Sequence, residues 1–508
     1  MVTSAEVPAR EAPPTSTDDP RPLFHQAIEV GARFKADETV YRRRNQANVI
    51  RDHLVRDLPE HGTSLADLLT EFETQMLPWC KNEASPRFLG FADTGDDPAA
   101  LMGEILATFT QQNLINQGFD SPSATFVDVS VLRWLRRLLG YPNPAVGSVT
   151  SVWDIGGIIT PGGTTSNTVA MMLARERFCP GAMHQGLPGA RRGVVLVPAG
   201  IGHYSIRSAL SWVGMGDATV EVPTRAFRYD IPALSAALVE HRDRTAGVVA
   251  YAGDSRTQTV EHLDVVRDLV RTYSPKAWLH ADACWGLAAA CDPQLSDLLA
   301  GIQDYDSITV DPHKVLCVPY SLSALLVRDP GALRSVASHS DLIMQEDFAF
   351  GQVTPFVGSR PWASLKLWMM MRHHGREGLA RIIADRIAAR KVFVSLLDSN
   401  PRLLRMHEPD LTAVAFVYLP RGVQAARASA RDVEVTNRVN EAIHDALLEQ
   451  GRWFLHQFGL PDDEGRLRRG ALVRPLRFLA GNSRVTTSHL RQALDAVVTW
   501  GRTFEEEL

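Results

Sequence analysis

Four short stretches carry residue types that can do chemistry together. The run Pro161-Gly162-Gly163-Thr164-Thr165-Ser166-Asn167 places two glycines, which allow close backbone approach, ahead of three hydroxyls where an amphipathic helix begins. Hydroxyls and the unpaired amides of a helix N-terminus make a natural phosphate cradle; alone, the same run also reads as an ordinary cap after a glycine turn. It has neither GxxxxGKS/T nor GxGxxG, which disfavours a nucleotide loop. His280-Ala281-Asp282-Ala283-Cys284-Trp285-Gly286 closes a hydrophobic run. A carboxylate there is costly to bury without a partner, and it can hold an aromatic ring nitrogen protonated so that the ring accepts electrons. The plain alternative for Asp282 is a cap on the helix that follows. Asp311-Pro312-His313-Lys314 ends another such run. Partial desolvation lowers a lysine's pKa and suits it to imine formation, although out of context Lys314 reads as a surface lysine. Gly202-His203-Tyr204-Ser205 follows a third, where His203 can stack on a ring or move protons. His373 and His374 sit in a helical segment whose adjacent residues point apart, so no metal site is expected.

These stretches need a frame that brings them to one place. From residue 155 onward, β-rich runs recur at 193–199, 246–253, 277–283, 307–313 and 323–328, separated by helical segments. That alternation predicts an α/β domain with a mostly parallel sheet buried on both faces. Ligands of such sheets sit beyond the carboxyl ends of the strands, where the four stretches fall. Val127, Val131, Trp134, Leu135 and Leu138 repeat at helical spacing and predict a core or subunit-contact stripe. Beyond about residue 385, long helices surround the strand-like run LTAVAFVYL, which predicts a smaller α+β C-terminal domain. The expected division is a disordered leader at 1–23, a helical segment at 24–120, a large α/β domain at 121–385 and the small domain at 386–508.

Bulk properties narrow the function classes. In 508 residues the net charge is only −5 and no basic stripe occurs, so nucleic acid is not an expected partner. No uncharged apolar run approaches the roughly 20 residues that span a bilayer, so no membrane association is expected. Five scattered cysteines without a CxxC pair predict neither a disulfide framework nor structural zinc, and they fit a cytoplasmic location.

The order PGGTTSN, GHYSIRSA, HADACWG, DPHK and VGSRPWASLKLW resembles the group II pyridoxal-phosphate decarboxylases, the family of glutamate and aromatic-amino-acid decarboxylases. The resemblance covers residues 80–385 well, and SPSATFVDVSVLRWLRRLLGYP and LRFLAGNSRVTT extend it towards both ends. It implies an aspartate-aminotransferase-like fold (PLP fold type I), with 24–120 serving dimerisation in a homodimer that shares its active sites. Pyridoxal 5′-phosphate (PLP) would be held by Lys314 as a Schiff base, with Asp282 on the pyridine nitrogen and His203 stacked on the ring. Thr164, Thr165, Ser166 and His313 would hold the phosphate, with Gly358 of the partner subunit. Cys284 would pack on the ring, and Arg477 would contact the substrate carboxylate. The implied reaction is decarboxylation of an L-amino acid to an amine and CO2.

Several positions depart from the family pattern. Ala252-Gly253-Asp254-Ser255-Arg256-Thr257 stands where the family has AGTT followed by a glycine turn, Cys284 replaces an alanine, Val315 a tryptophan and Ser208 a lysine. The loop at 338–356 lacks the tyrosine that family decarboxylases use to protonate the substrate carbon; there is none between Tyr320 and Tyr418, and Phe348 or Phe350 stands in that stretch. In aldehyde-synthase-like relatives a phenylalanine there accompanies oxygen-dependent decarboxylation and deamination, which is the alternative reading. A non-catalytic homologue is a third. Phe348, Phe350 and Phe356 lean towards an apolar or aromatic substrate, although they serve equally as packing against protein.

Overall fold

The computed structural model describes residues 19–43, 46–188, 193–341 and 347–506. The expected leader lies outside them as far as residue 18. Helix α1 (Arg21–Ala36) starts three residues before the expected boundary at 24, with Pro22 in its first turn, where a missing N–H costs nothing.

Seven strands form the central sheet: β1 (Gly157–Thr160), β2 (Val194–Pro198), β3 (Thr219–Val222), β4 (Thr245–Tyr251), β5 (Trp278–Asp282), β6 (Ser307–Val310) and β7 (Ser323–Val327), in the order β1-β7-β6-β5-β4-β2-β3. β4, β5, β6 and β7 are buried along their whole lengths, as expected for strands covered on both faces. β7 alone runs antiparallel to both neighbours. Its connection from β6 holds only a single helical turn, Pro312–Val315, which is too short to cross back over the sheet. The chain therefore returns beside β6, and this short return carries Lys314.

Helices flank this sheet. α2 (Pro98–Thr110) and α3 (Ala124–Leu138) pack on the 35-residue α6 (Ser364–Asp398), which breaks at Gly375 (φ 60°) and contains position 385. Between them in sequence, α4 (Gly163–Phe178) follows β1 and α5 (Tyr204–Trp212) follows β2. The C-terminal part is a four-stranded antiparallel sheet of β8 (Leu403–Arg405), β9 (Ala413–Tyr418), β10 (His456–Gln457) and β11 (Leu476–Leu479), ordered β8-β9-β11-β10. Helices α7 (Ala430–Gln450) and α8 (Thr487–Glu505) cover it. Its core is aromatic, with Phe393 of α6 stacked on Phe478 at 4.1 Å between centroids and edge-on to Phe416. No described helix is long and apolar enough to cross a membrane.

Candidate active site

The four stretches converge at the carboxyl ends of the parallel strands. β1 runs into Pro161-Gly162 and α4 begins at Gly163. Of the three hydroxyls there, Ser166 is fully buried and bonded to Thr160 Oγ1 at 2.6 Å. Thr164 and Thr165 are half-buried, and their hydroxyls keep no intramolecular partner among the described residues. A Cβ on Gly163 would lie 2.9 Å from the Asp311 carboxylate oxygens and from Cys284 Sγ, so only glycine lets the helix start approach so closely.

Asp282 ends β5 as a buried carboxylate. Its Oδ2 accepts from Asn167 Nδ2 at 2.9 Å and its Oδ1 accepts from the Cys284 amide at 3.2 Å. Asn167 donates its second N–H to Ser205 Oγ at 2.9 Å and accepts at Oδ1 from His280 Nε2 at 3.0 Å. The proton pattern follows from the partners. Trp278 Nε1 donates to Ser307 Oγ, leaving that hydroxyl to donate to His280 Nδ1 at 2.8 Å. Ser205 Oγ donates to His203 Nδ1 at 2.7 Å, which places the His203 proton on Nε2. Burial pushes His280 down to about 4, so it is a neutral, directional link. His203 caps α5 and is half-buried; burial lowers its pKa too, with Asp282 opposing. Neither Asn167 nor His280 carries a role in the sequence-based reading. The signal lay in their spacing: Asn167 is one helical turn into α4, and His280 lies two residues before Asp282 on the same strand face.

Lys314 begins the short return between β6 and β7. Its Nζ lies 2.7 Å from Asp311 Oδ2 and 5.5 Å from the centroid of the Trp285 ring. The lowered pKa expected for this lysine is not what the site produces. Burial works against the ammonium, but Asp311 outweighs it and holds Lys314 above the ordinary lysine range. Asp311 is itself buried, which favours its acid form, yet Lys314, His313 and a hydrogen bond from Ser323 Oγ bring it down to about 2. Three residues apart across the Pro312 turn, the two side chains cannot avoid each other, a juxtaposition that reading Lys314 alone overlooked. His313 donates from Nδ1 to the Leu322 carbonyl at 2.6 Å, and its Nε2 makes no hydrogen bond among the described residues, with Asp311 Oδ2 4.0 Å away. Burial raises the Cys284 thiol well above its ordinary value.

The remaining expected residues are placed less uniformly. Arg477 on β11 is buried, donates to the carbonyls of Ser255 (2.6 Å) and Gly90 (3.1 Å), and lies over the Phe91 and Phe458 rings. Its Nε has no partner, and burial lowers its pKa to about 10. Phe348 packs edge-on against Phe126, Phe350 is in the core beneath Arg360, and Gly358 is exposed. Of the three loop phenylalanines, Phe356 lines a cavity of about 740 Å³ that also takes in Thr165, Tyr320 and Lys366 but none of Lys314, Asp282 and His203. The departure at Asp254 is structural: this buried carboxylate accepts from the amides of Arg256, Thr257 and Thr259 and caps the turn after β4. His374 bonds Asp97, and no group of three or more metal-capable side chains occurs among the described residues.

A model of the pyridoxal-dependent decarboxylase conserved domain matches residues 48–419. The chain is 31% identical to L-2,4-diaminobutyrate decarboxylase of Rhizobium meliloti over 386 residues, covering 73% of each protein. It is 27% identical to tryptophan decarboxylase 1 of Oryza sativa over 503 residues, covering 95% of this chain and 94% of that one. The crystal structure of Oryza sativa TDC with PLP and tryptamine superposes with a TM-score of 0.84 at 22% identity, over 97% of this chain and 100% of that one.

The neutral His280 makes the network pH-sensitive in a defined direction. Below the ordinary histidine value of 6.5 the unfolded chain binds a proton that the buried ring refuses until about pH 4. The stability this group contributes is therefore complete above 6.5 and falls as pH drops towards 4. Denaturant unfolding across that window is expected to show a slope shallower in His280→Gln than in the native protein, by up to about 1.4 kcal/mol per pH unit. Equal slopes would contradict the neutral assignment.

Proposed function

Since the chain belongs to the pyridoxal-dependent decarboxylases, PLP-dependent carboxy-lyases that act on amino acids, we propose that Lys314 holds the cofactor and that an L-amino acid leaves as its amine and CO2. The observation that carries this reading is the convergence of Lys314, Asp282 and His203 beyond the carboxyl ends of β6, β5 and β2, with Asp282 and His203 joined through Asn167 and Ser205.

The donor set fits the cofactor. Thr164 and Thr165 offer unpartnered hydroxyls at the start of a 16-residue helix, and His313 Nε2 makes no hydrogen bond among the described residues, as an incoming phosphate requires. Ser166, bonded to Thr160, contributes most simply through its place in the first turn. Lys314 would hold the cofactor's aldehyde carbon through Nζ. PLP, when bound, supplies an electron sink for the pair left at Cα. Asp282, immobilised by Asn167 and the Cys284 amide, keeps the ring nitrogen protonated. His203, fixed by Ser205, presents its ring to the cofactor face, and Cys284 packs from β5. Asp311 keeps Lys314 charged until the pair is opened, so the amine becomes nucleophilic only when a ligand's own charges displace that contact. Arg477 is the group assigned to the substrate carboxylate, held by two carbonyls with its Nε unused; Phe348 is placed as loop packing near the site.

A homodimer with shared sites is part of the proposal, built on the 24–120 segment, with 121–385 holding the cofactor and 386–508 the small domain. α2 supports it: Met102, Leu106 and Phe109 are exposed on a helix whose other side packs against α6, an apolar surface that calls for a cover. Gly358, exposed, is placed to reach the partner's phosphate. Five free cysteines support a cytoplasmic location. Sedimentation is expected to give twice the chain mass, reduced to the chain mass in Phe109→Glu; a monomeric native protein rejects the shared site.

The oxidative alternative has one specific observation behind it, the absence of tyrosine between Tyr320 and Tyr418. Incubating the holoenzyme with each common L-amino acid while following CO2, amine and oxygen separates the two. Amine equal to CO2 without oxygen uptake is expected; aldehyde, ammonia and peroxide would reject it. Asp282→Asn is expected to retain the visible absorption of the bound cofactor and to lose at least about 10²-fold in turnover, because a neutral amide cannot hold the ring nitrogen protonated. Near-native turnover would remove Asp282 from this role.

A further inference from the structure

Beside Lys314 lies a phenol–carboxyl pair drawn from two distant segments. Tyr320, in the same β6–β7 return, donates from Oη to Asp93 Oδ2 at 2.7 Å. Its ring lies 5.3 Å from that of His313, its carbonyl is held by the buried Lys366 Nζ at 3.1 Å, and Tyr320 lines the 740 Å³ cavity together with Thr165. Asp93 is only 9% exposed, and its Oδ1 is a buried oxygen with no partner. A buried carboxyl half without a bond is costly unless it serves a purpose. Glu83, paired with Lys81 at 2.5 Å, flanks Tyr320 as well, and the charges of His313, Lys314 and Asp311 act on Asp93.

Resting on the decarboxylase reading above, we propose that Tyr320 Oη delivers the proton that replaces CO2 at the substrate Cα, with Asp93 as the positioning residue that holds it. The balance is simple. The Cα–carboxylate bond breaks, CO2 leaves, and the bonding pair stays at Cα. A Cα–H bond then forms with the Tyr320 proton. The phenolate regains its proton from water in the cavity it lines, while Asp93 Oδ2 keeps the phenol in position. One proton is consumed for each CO2 released. Burial raises the pKa of both groups and the Asp93 carboxylate raises that of Tyr320 further, so the phenol keeps its proton as a donor must. The other O–H and S–H groups nearby are worse placed: Tyr251 is buried and its Oη accepts from the His203 amide, and Cys284 is sealed under the α4 start. Lys314 is the remaining rival.

Tyr320→Phe decides between them. In the holoenzyme the visible absorption of the bound cofactor is expected to be unchanged, while amine formation falls about 10²-fold or more and the residual turnover shifts towards aldehyde with oxygen uptake. Unchanged rate and product ratio would hand the proton to Lys314 and overturn the assignment alone; a native protein that makes no amine from any amino acid overturns the decarboxylase reading and this assignment together. Asp93→Asn keeps the phenol and guards against misfolding of the first variant. It is expected to slow amine formation about tenfold. In the cofactor-free protein it should also move one alkaline tyrosine titration, followed in the ultraviolet, to lower pH; Tyr320→Phe removes that same titration. An unmoved titration with an unchanged rate would dissolve the pair.

Discussion

A carboxylate buried at the end of a central strand is tolerable only when fixed donors surround it, and in this fold the Asp282 carboxylate sets that requirement. Asn167 meets it, and because a primary amide has two N–H groups and one carbonyl oxygen, meeting it commits the rest. The second N–H fixes Ser205 and through it the His203 tautomer, while the carbonyl fixes His280. Two strands, β5 and through Ser307 β6, and two helices are thereby registered to one another by bonds whose direction cannot be reversed. Such fully satisfied polar networks specify one geometry where apolar packing alone tolerates several.

The same economy of space shapes the lysine. Reversal of β7 leaves a short return after β6, and Asp311, Lys314 and Tyr320 all lie on it. Its first turn presses Asp311 against Gly163 of α4, so the phosphate end of the site and the lysine end share a wall in which no side chain larger than hydrogen fits. Electrostatics then outranks desolvation: a 2.7 Å ion pair in a poorly solvated site stabilises the ammonium more than burial penalises it.

Much of this was legible in the residues. The strand runs, their burial on both faces and the positions of Asp282, His203 and Lys314 at strand ends follow from hydrophobic runs ending in polar residues, a local pattern. What was illegible depends on pairing across the fold. Nothing local reveals that β7 turns back, since its run reads like the parallel strands. The charge state of Lys314 turned on a neighbour three residues away whose direction only the turn determines. Asp254 read as a departure from the family pattern and proves to be a turn cap, because its acceptors are filled by amides of its own loop. Asp93 and Tyr320 are 227 residues apart and carry no shared motif.

One covalent bond underlies every role given to the site. Borohydride reduction of the holoenzyme, followed by digestion and mass spectrometry, locates the amine that holds the cofactor. A single pyridoxyl group on the peptide containing Lys314 is the expected result. Label on another lysine, or spread over the surface lysines with Lys314 unmodified, would contradict it.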